Sequence, residues 1–335
     1  MKCTDRTFRR RRNRKRQLRI RVSIFVICVA CVIVVLGIFT QSQKIINKFE
    51  LKAYASSVYQ ASLFADNLCV SDEEVMYDDF YRHDKFHGAL LFNVDEQQVL
   101  YSEQVNERLY PASTTKLMTA YLCLKYGTLE DRVVVSEKAV DVPSDSSTAH
   151  LEAGDSMTLQ ELLNSLMLAS GNDSANAIAE HISGNIDDFV KLMNDEAKTL
   201  GATNTNFVNP HGYHDDNHYT TAYDLYLIFN ECLKYDTFVD IISSKTFNAV
   251  LTRKDGTAKE VTWTQTNQFL NGMRDVPSGI TIIGGKTGNT NAAGSCLVQL
   301  GKDSSGTSYI SIIMGATSMR NLYDNMTFLW MTLSD

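Results

Sequence analysis

Residues 110–120 read Tyr110-Pro111-Ala112-Ser113-Thr114-Thr115-Lys116-Leu117-Met118-Thr119-Ala120. The apolar run that follows closes at Gly127, so the stretch predicts a helix from Ser113 to Tyr126. Residues three apart share a helix face, which sets Lys116 beside Ser113. Serine is a weak nucleophile until a base takes its proton. Lysine can be that base only where burial or a neighbouring cation lowers its pKa. The free N–H groups of a helix start favour developing negative charge. A lone Ser-x-x-Lys fits a capped surface helix equally well.

Working outward, GALLFNV (88–94) and VLYSEQ (99–104) flank a four-residue polar turn and predict a β-hairpin. Thr158-x-x-Glu161 before LQELLNSLMLAS is a capping-box signature. Helices are predicted near 173–183, 185–200 and 221–235, the second closed by Gly201. FNAVLT and AKEVTW flank Asp255-Gly256, a strong hairpin signal. Three strand-like runs come late, ITIIGG (280–285), GSCLVQLG (294–301) and TSYISIIMG (307–315), and a last helix covers about 318–332. Strands at both ends with helices between predict an α+β fold: one antiparallel sheet built from both ends of the region, with a helical part inserted.

Two further motifs sit in this frame. Ser170-Gly171-Asn172 lies between two predicted helices, where a hydroxyl and an amide can line one wall of a cleft. Taken alone it is a polar helix–helix turn. Lys286-Thr287-Gly288 follows the strand ITIIGG. A cation and a hydroxyl on a strand edge, with glycine allowing close backbone approach, suit an anionic substrate lying alongside.

In this order, S-x-x-K, S-x-N and K-T-G resemble the motif set of penicillin-recognising serine enzymes. The surroundings narrow the resemblance to the D-alanyl-D-alanine carboxypeptidases of the low-molecular-weight penicillin-binding class, peptidase family S11. It is carried by GALLFNVDEQQVLYSEQVNERLYPASTTKLMTA, LMLASGNDSANAIAEHI, LGATNTNFVNPHGY, HYTTAYDL and GGKTGNTNAAGSCL, and covers about 85–333. It implies a β-lactamase/transpeptidase-like fold, with a five-stranded antiparallel sheet flanked by helices. It implies a serine DD-carboxypeptidase that trims the terminal D-alanine from peptidoglycan stem peptides and is inhibited by penicillin, without a cofactor.

Residue roles follow from the same resemblance. Ser113 is the acylated nucleophile and Lys116 its base. Ser170 relays a proton to the departing D-alanine, and Asn172 holds Lys116 and the substrate amide. Lys286 supplies positive potential, and Thr287 binds the terminal carboxylate beside Gly288. The backbone N–H groups of Ser113 and Asn289 form the oxyanion hole. Arg320 stands where the family often carries an arginine near that carboxylate. Asn289 replaces the histidine of some relatives, and the further carboxy-terminal β-domain of many relatives is not expected. The alternatives are a β-lactamase-type hydrolase of the same fold, against which no E-x-x-L-N segment lies between Ser170 and Lys286, and a catalytically silent penicillin-binding sensor or scaffold.

Charge divides the chain. Of 32 basic and 39 acidic residues, eleven basic residues and one acid fall within 1–21. The remaining acidic body does not suit nucleic acid. Residues 22–39 carry no charge and span roughly 27 Å as a helix, about one bilayer core. They predict an uncleaved signal anchor in the cell membrane, with 1–21 as a cytoplasmic tail and the body extracytoplasmic. A cleaved signal peptide lacks its small-residue site, and a lipidated Cys31 would leave apolar residues beyond it. Residues 40–84 predict a helical stalk and acidic linker, and 85–335 the catalytic domain. The seven cysteines show no C-x-x-C pair and read as buried small hydrophobes. His211, His214 and His218 invite a zinc reading, which Pro210 and Gly212 oppose by denying them a helix face.

Overall fold

A computed structural model describes residues 74–76 and 86–333. The stretches expected as cytoplasmic tail, membrane anchor and most of the stalk lie outside the described residues. No helix among the described residues is long and apolar enough to cross a membrane.

The hairpin β1 (Gly88–Asn93) and β2 (Gln98–Glu103) pairs with three strands from the far end of the region: β7 (Thr281–Thr290), β8 (Gly294–Lys302) and β9 (Ser308–Ala316). Their order is β2-β1-β9-β8-β7, and every pairing is antiparallel. This is the five-stranded sheet expected. Its strands run almost continuously buried because both faces are covered. Alternation sends Leu90, Phe92, Val298 and Ile312 to the larger core, under the helical region. It sends Leu91, Leu297 and Ile313 to a second core with Leu322, Met326 and Trp330 of the last helix. Each such side chain contributes roughly 1.5–3 kcal/mol on burial.

Between the two halves of this sheet lie α1 (Lys116–Tyr126), α2 (Glu137–Val140), α3 (Leu159–Leu168), α4 (Asn172–Ser183), α5 (Ile186–Thr199), α6 (Ala222–Cys232) and α7 (Asp236–Ser243); α8 (Met319–Met331) follows it. The first eight residues of α1 are all buried, so it runs through the core and has no polar face. The capping box forms as read: Glu161 N donates to Thr158 Oγ1 at 3.1 Å, and Thr158 N donates to Glu161 Oε2 at 2.7 Å.

Four expectations need correction. The predicted helix at 113–126 begins as a 3-10 turn, Ala112–Thr115, and becomes α-helical only at Lys116. The run expected as one helix over 221–235 is two, α6 and α7, broken at Leu233–Tyr235. Lys286-Thr287-Gly288 lies inside β7, which continues to Thr290. A second sheet, β3 (Arg132–Val134), β4 (Ser156–Thr158), β5 (Thr246–Thr252) and β6 (Ala258–Thr264), joins the Asp255-Gly256 hairpin to two three-residue strands. In addition, Val75 of the expected solvated linker bridges Ser102 on β2, with Ser102 N donating to Val75 O at 2.8 Å.

Candidate active site

The turn that carries Ser113 is held from inside. Ala112 is buried with φ +48°, a left-handed conformation that a non-glycine residue adopts only when its surroundings demand it. Thr114 Oγ1 donates to Pro111 O at 2.7 Å and Thr115 Oγ1 to Ala112 O at 2.8 Å. Thr115 Oγ1 is thereby an acceptor for His218 Nε2, 2.9 Å away, while His218 Nδ1 accepts from Val208 N at 3.1 Å. Burial holds the His218 pKa down to about 4, so this imidazole is a neutral strut. Ser113 itself is part-exposed, at the mouth of the fold.

Lys116 is fully buried and its Nζ meets three oxygens: Ser113 Oγ at 2.9 Å, Asn172 Oδ1 at 2.7 Å and the His211 carbonyl at 2.8 Å. Burial above all, and then the charge of Lys286, hold its pKa well below the ordinary lysine value; Asp173 opposes them. A neutral amine has two hydrogens and one lone pair. Asn172 Oδ1 and the His211 carbonyl can only accept, so they take both hydrogens. The lone pair then faces the Ser113 hydroxyl, which is the arrangement of a general base.

Two elements create those acceptors. Gly171 brings Asn172 in at the start of α4, where Asp173 accepts from Ala149 N at 2.9 Å and Leu151 N at 3.1 Å and ties down the loop before β4. The His211 carbonyl is presented by a loop wound around Asn209, whose Oδ1 accepts from Gly212 N at 2.7 Å. Gly212 has φ +86°, and a Cβ there would sit 1.8 Å from Ala112 O. The three histidines of this stretch have separate roles: His211 Nδ1 accepts from Tyr213 N, His218 holds the Ser113 turn, and His214 packs edge-on against Tyr110.

Lys286 reaches Ser170 Oγ at 2.9 Å and the Thr287 carbonyl at 2.9 Å. Burial lowers its pKa to about 7. Ser170, with φ +58°, is a second left-handed non-glycine residue, so strain marks two of the three motifs. On β7, a Cβ at Gly288 would lie 2.9 Å from Pro111 O and 3.0 Å from Ser113 N; glycine lets the strand close on the turn. Thr287 Oγ1 lies 2.7 Å from Thr266 Oγ1.

A cleft of about 410 Å³ opens over this arrangement, lined by Ser113, Asn172 and Asn289 together with Tyr213, His214 and Asp145. The structure thus brings Ser113, Lys116, Ser170, Asn172, Lys286, Gly288 and Asn289 to one place, with Thr287 beside them. Arg320 is exposed near the start of α8 and does not line the cleft. Sequence reasoning missed the His211 carbonyl, Asp173, His218 and Thr266. The Asn209-Pro210-His211-Gly212 turn was the only local signal for the first, because a backbone acceptor has no residue type to betray it.

Fold and site together define a transpeptidase-like α+β protein with a part-exposed serine set on a buried lysine. A family model for D-alanyl-D-alanine carboxypeptidase, peptidase S11, matches residues 85–318, and the chain belongs to that family. It is similar to the D-alanyl-D-alanine carboxypeptidase DacF of Bacillus subtilis, 37% identical over 236 residues, covering 69% of this chain and 57% of the relative. It is 33% identical over 241 residues to the DacA carboxypeptidase of Haemophilus influenzae, covering 69% of this chain and 57% of that protein. The chain therefore spans little more than half the length of these relatives. A mutant of the Streptomyces K15 DD-transpeptidase superposes with a TM-score of 0.69 at 30% identity, covering 75% of this chain and 97% of that one.

Proposed function

We propose that this chain is a membrane-anchored serine DD-carboxypeptidase that removes the terminal D-alanine from peptidoglycan stem peptides and is acylated by β-lactams. The observation that carries the reading is the Lys116 amine, its hydrogens committed to Asn172 Oδ1 and the His211 carbonyl and its lone pair left for Ser113. Ser113 Oγ attacks the carbonyl of the penultimate D-alanine as its proton passes to Lys116 Nζ. The oxyanion is held by the backbone N–H groups of Ser113 and Asn289, a contribution of roughly 2.7–4 kcal/mol per donor. Ser170, beside Lys286, relays the proton taken up by Lys116 to the departing amine, and water then hydrolyses the ester at Ser113. Lys286 and Thr287 receive the terminal carboxylate. Residues 22–39 anchor the protein in the cell membrane with residues 1–21 in the cytoplasm and the catalytic body outside.

The relatives' names divide between carboxypeptidase and transpeptidase. Both reactions begin with the same acylation and differ in the acceptor, water or an amine. The test is incubation of the full chain in detergent with a stem pentapeptide ending in D-Ala-D-Ala. The expected products are a tetrapeptide and one equivalent of free D-alanine, both absent with Ser113→Ala. A folded protein that releases no D-alanine overturns the reading, and a product joined to an added amine moves it to transpeptidation.

A further inference from the structure

The catalytic cleft is electrically lopsided. Its lining carries one carboxylate, Asp145, in the loop between α2 and β4, and no lysine or arginine; Lys116 and Lys286 are buried against Ser113 and Ser170. Asp145 Oδ1 accepts from Tyr213 Oη at 3.1 Å, an exposed bond that ties the loop after α2 to the loop that follows Asn209 and orients the carboxyl group. Asp145 has no basic partner among the described residues, and Oδ1 alone is engaged there. The remaining lining is neutral or imidazole: Ser146, Ser147, His214, Asn291. Asp145 is exposed, so its second oxygen is open to a partner from solution, and it is the carboxylate of the cleft lining that a substrate cation would meet.

From this geometry we infer that Asp145 and Tyr213 form a subsite for a cationic side chain of the substrate, upstream of the scissile bond. The inference rests on the DD-carboxypeptidase reading. A stem peptide whose diamino acid keeps a free side-chain amine fits both poles: its terminal carboxylate goes toward Lys286 and Thr287, and its ammonium group toward Asp145. Tyr213 spends its hydroxyl hydrogen on Oδ1 and leaves Oδ2 to receive an N–H of the ammonium. Asp145 is a specificity residue of this site and takes no part in bond making.

The test compares two pentapeptides ending in D-Ala-D-Ala, one with a free lysine side chain at the third position and one with that amine acetylated, using the full chain in detergent. Wild type is expected to favour the free amine by roughly three- to tenfold in kcat/KM, the range for a part-exposed charge pair. The preference should be carried by KM and shrink with added salt. Asp145→Asn should bring the ratio close to one, and Tyr213→Phe should reduce it. Equal rates on the two peptides with wild type, or a ratio unchanged in Asp145→Asn, overturn the subsite. Penicillin labelling of wild-type Ser113 is read in parallel: labelling with no amine preference refutes the subsite alone, and absence of labelling and turnover refutes the enzyme reading on which it stands.

Discussion

At the scale of single residues the chemistry turns on where one proton sits. Lys116 and Lys286 are two buried amines in one site, and the acid that acts on Lys116, Asp173, spends its oxygens on backbone N–H groups. Burial favours the neutral form of both, the charge of Lys286 adds to it at Lys116, and the hydrogen-bond geometry makes Lys116 the amine that faces Ser113. The sign of the pH dependence follows. In the proposed mechanism Lys116 acts when deprotonated, and its pKa is lowered, so penicillin acylation should hold at neutral pH and fall as acid protonates it. Lys116→Ala should lose about 10²–10⁴-fold in acylation rate with little change in ground-state binding. Stopped-flow acylation across pH checks both, and a variant that acylates at the wild-type rate would show that another group takes the proton. These side chains were legible in the sequence as types at fixed spacing. Their pKa values were not, because burial comes from distant residues packing over them.

Elements place those residues, and the elements differ in how clearly the sequence announced them. The capped helix α3, the amphipathic α5 with Phe189, Met193 and Ala197 on its buried side, and the long strands carry repeated local signals. β3 and β4 have three residues each, too few for alternation to emerge, so the second sheet had no local signature. The 3-10 turn under Ser113 was hidden for another reason: threonine hydroxyls and His218, 103 residues from Thr115, decide its winding. Gly212 is the clearest test at this scale. Alanine there meets Ala112 O and strains a φ of +86°. Gly212→Ala should push the His211 carbonyl off Lys116, slow acylation at least tenfold, and cost about 1–3 kcal/mol of stability. Acylation kinetics and urea midpoints measure the two effects; wild-type values in both would mean that the loop adapts and that this contact does not set the base.

For the whole molecule, the sheet joins strands from both ends of the folded region, and the Ser113 turn packs against β7 across some 170 residues of chain. That closure is why three motifs scattered between 113 and 288 converge. The fold class and motif assembly were readable because each motif sits on an element with its own signal; Thr266 and Asp145 were not, since loops carry no period. The proposed location makes a separate claim. Protease added to intact protoplasts should digest the acidic body and spare a fragment carrying residues 1–40, visible by antibody to the basic tail. A mature protein that begins after residue 40 would refute the anchor. Covalent labelling bears most directly on the central claim. Intact-mass analysis after penicillin should show one adduct on the full chain, peptide mapping should place it on Ser113, and Ser113→Ala should abolish it. An adduct on Ser170 or another serine, or none on a folded protein, would contradict the account.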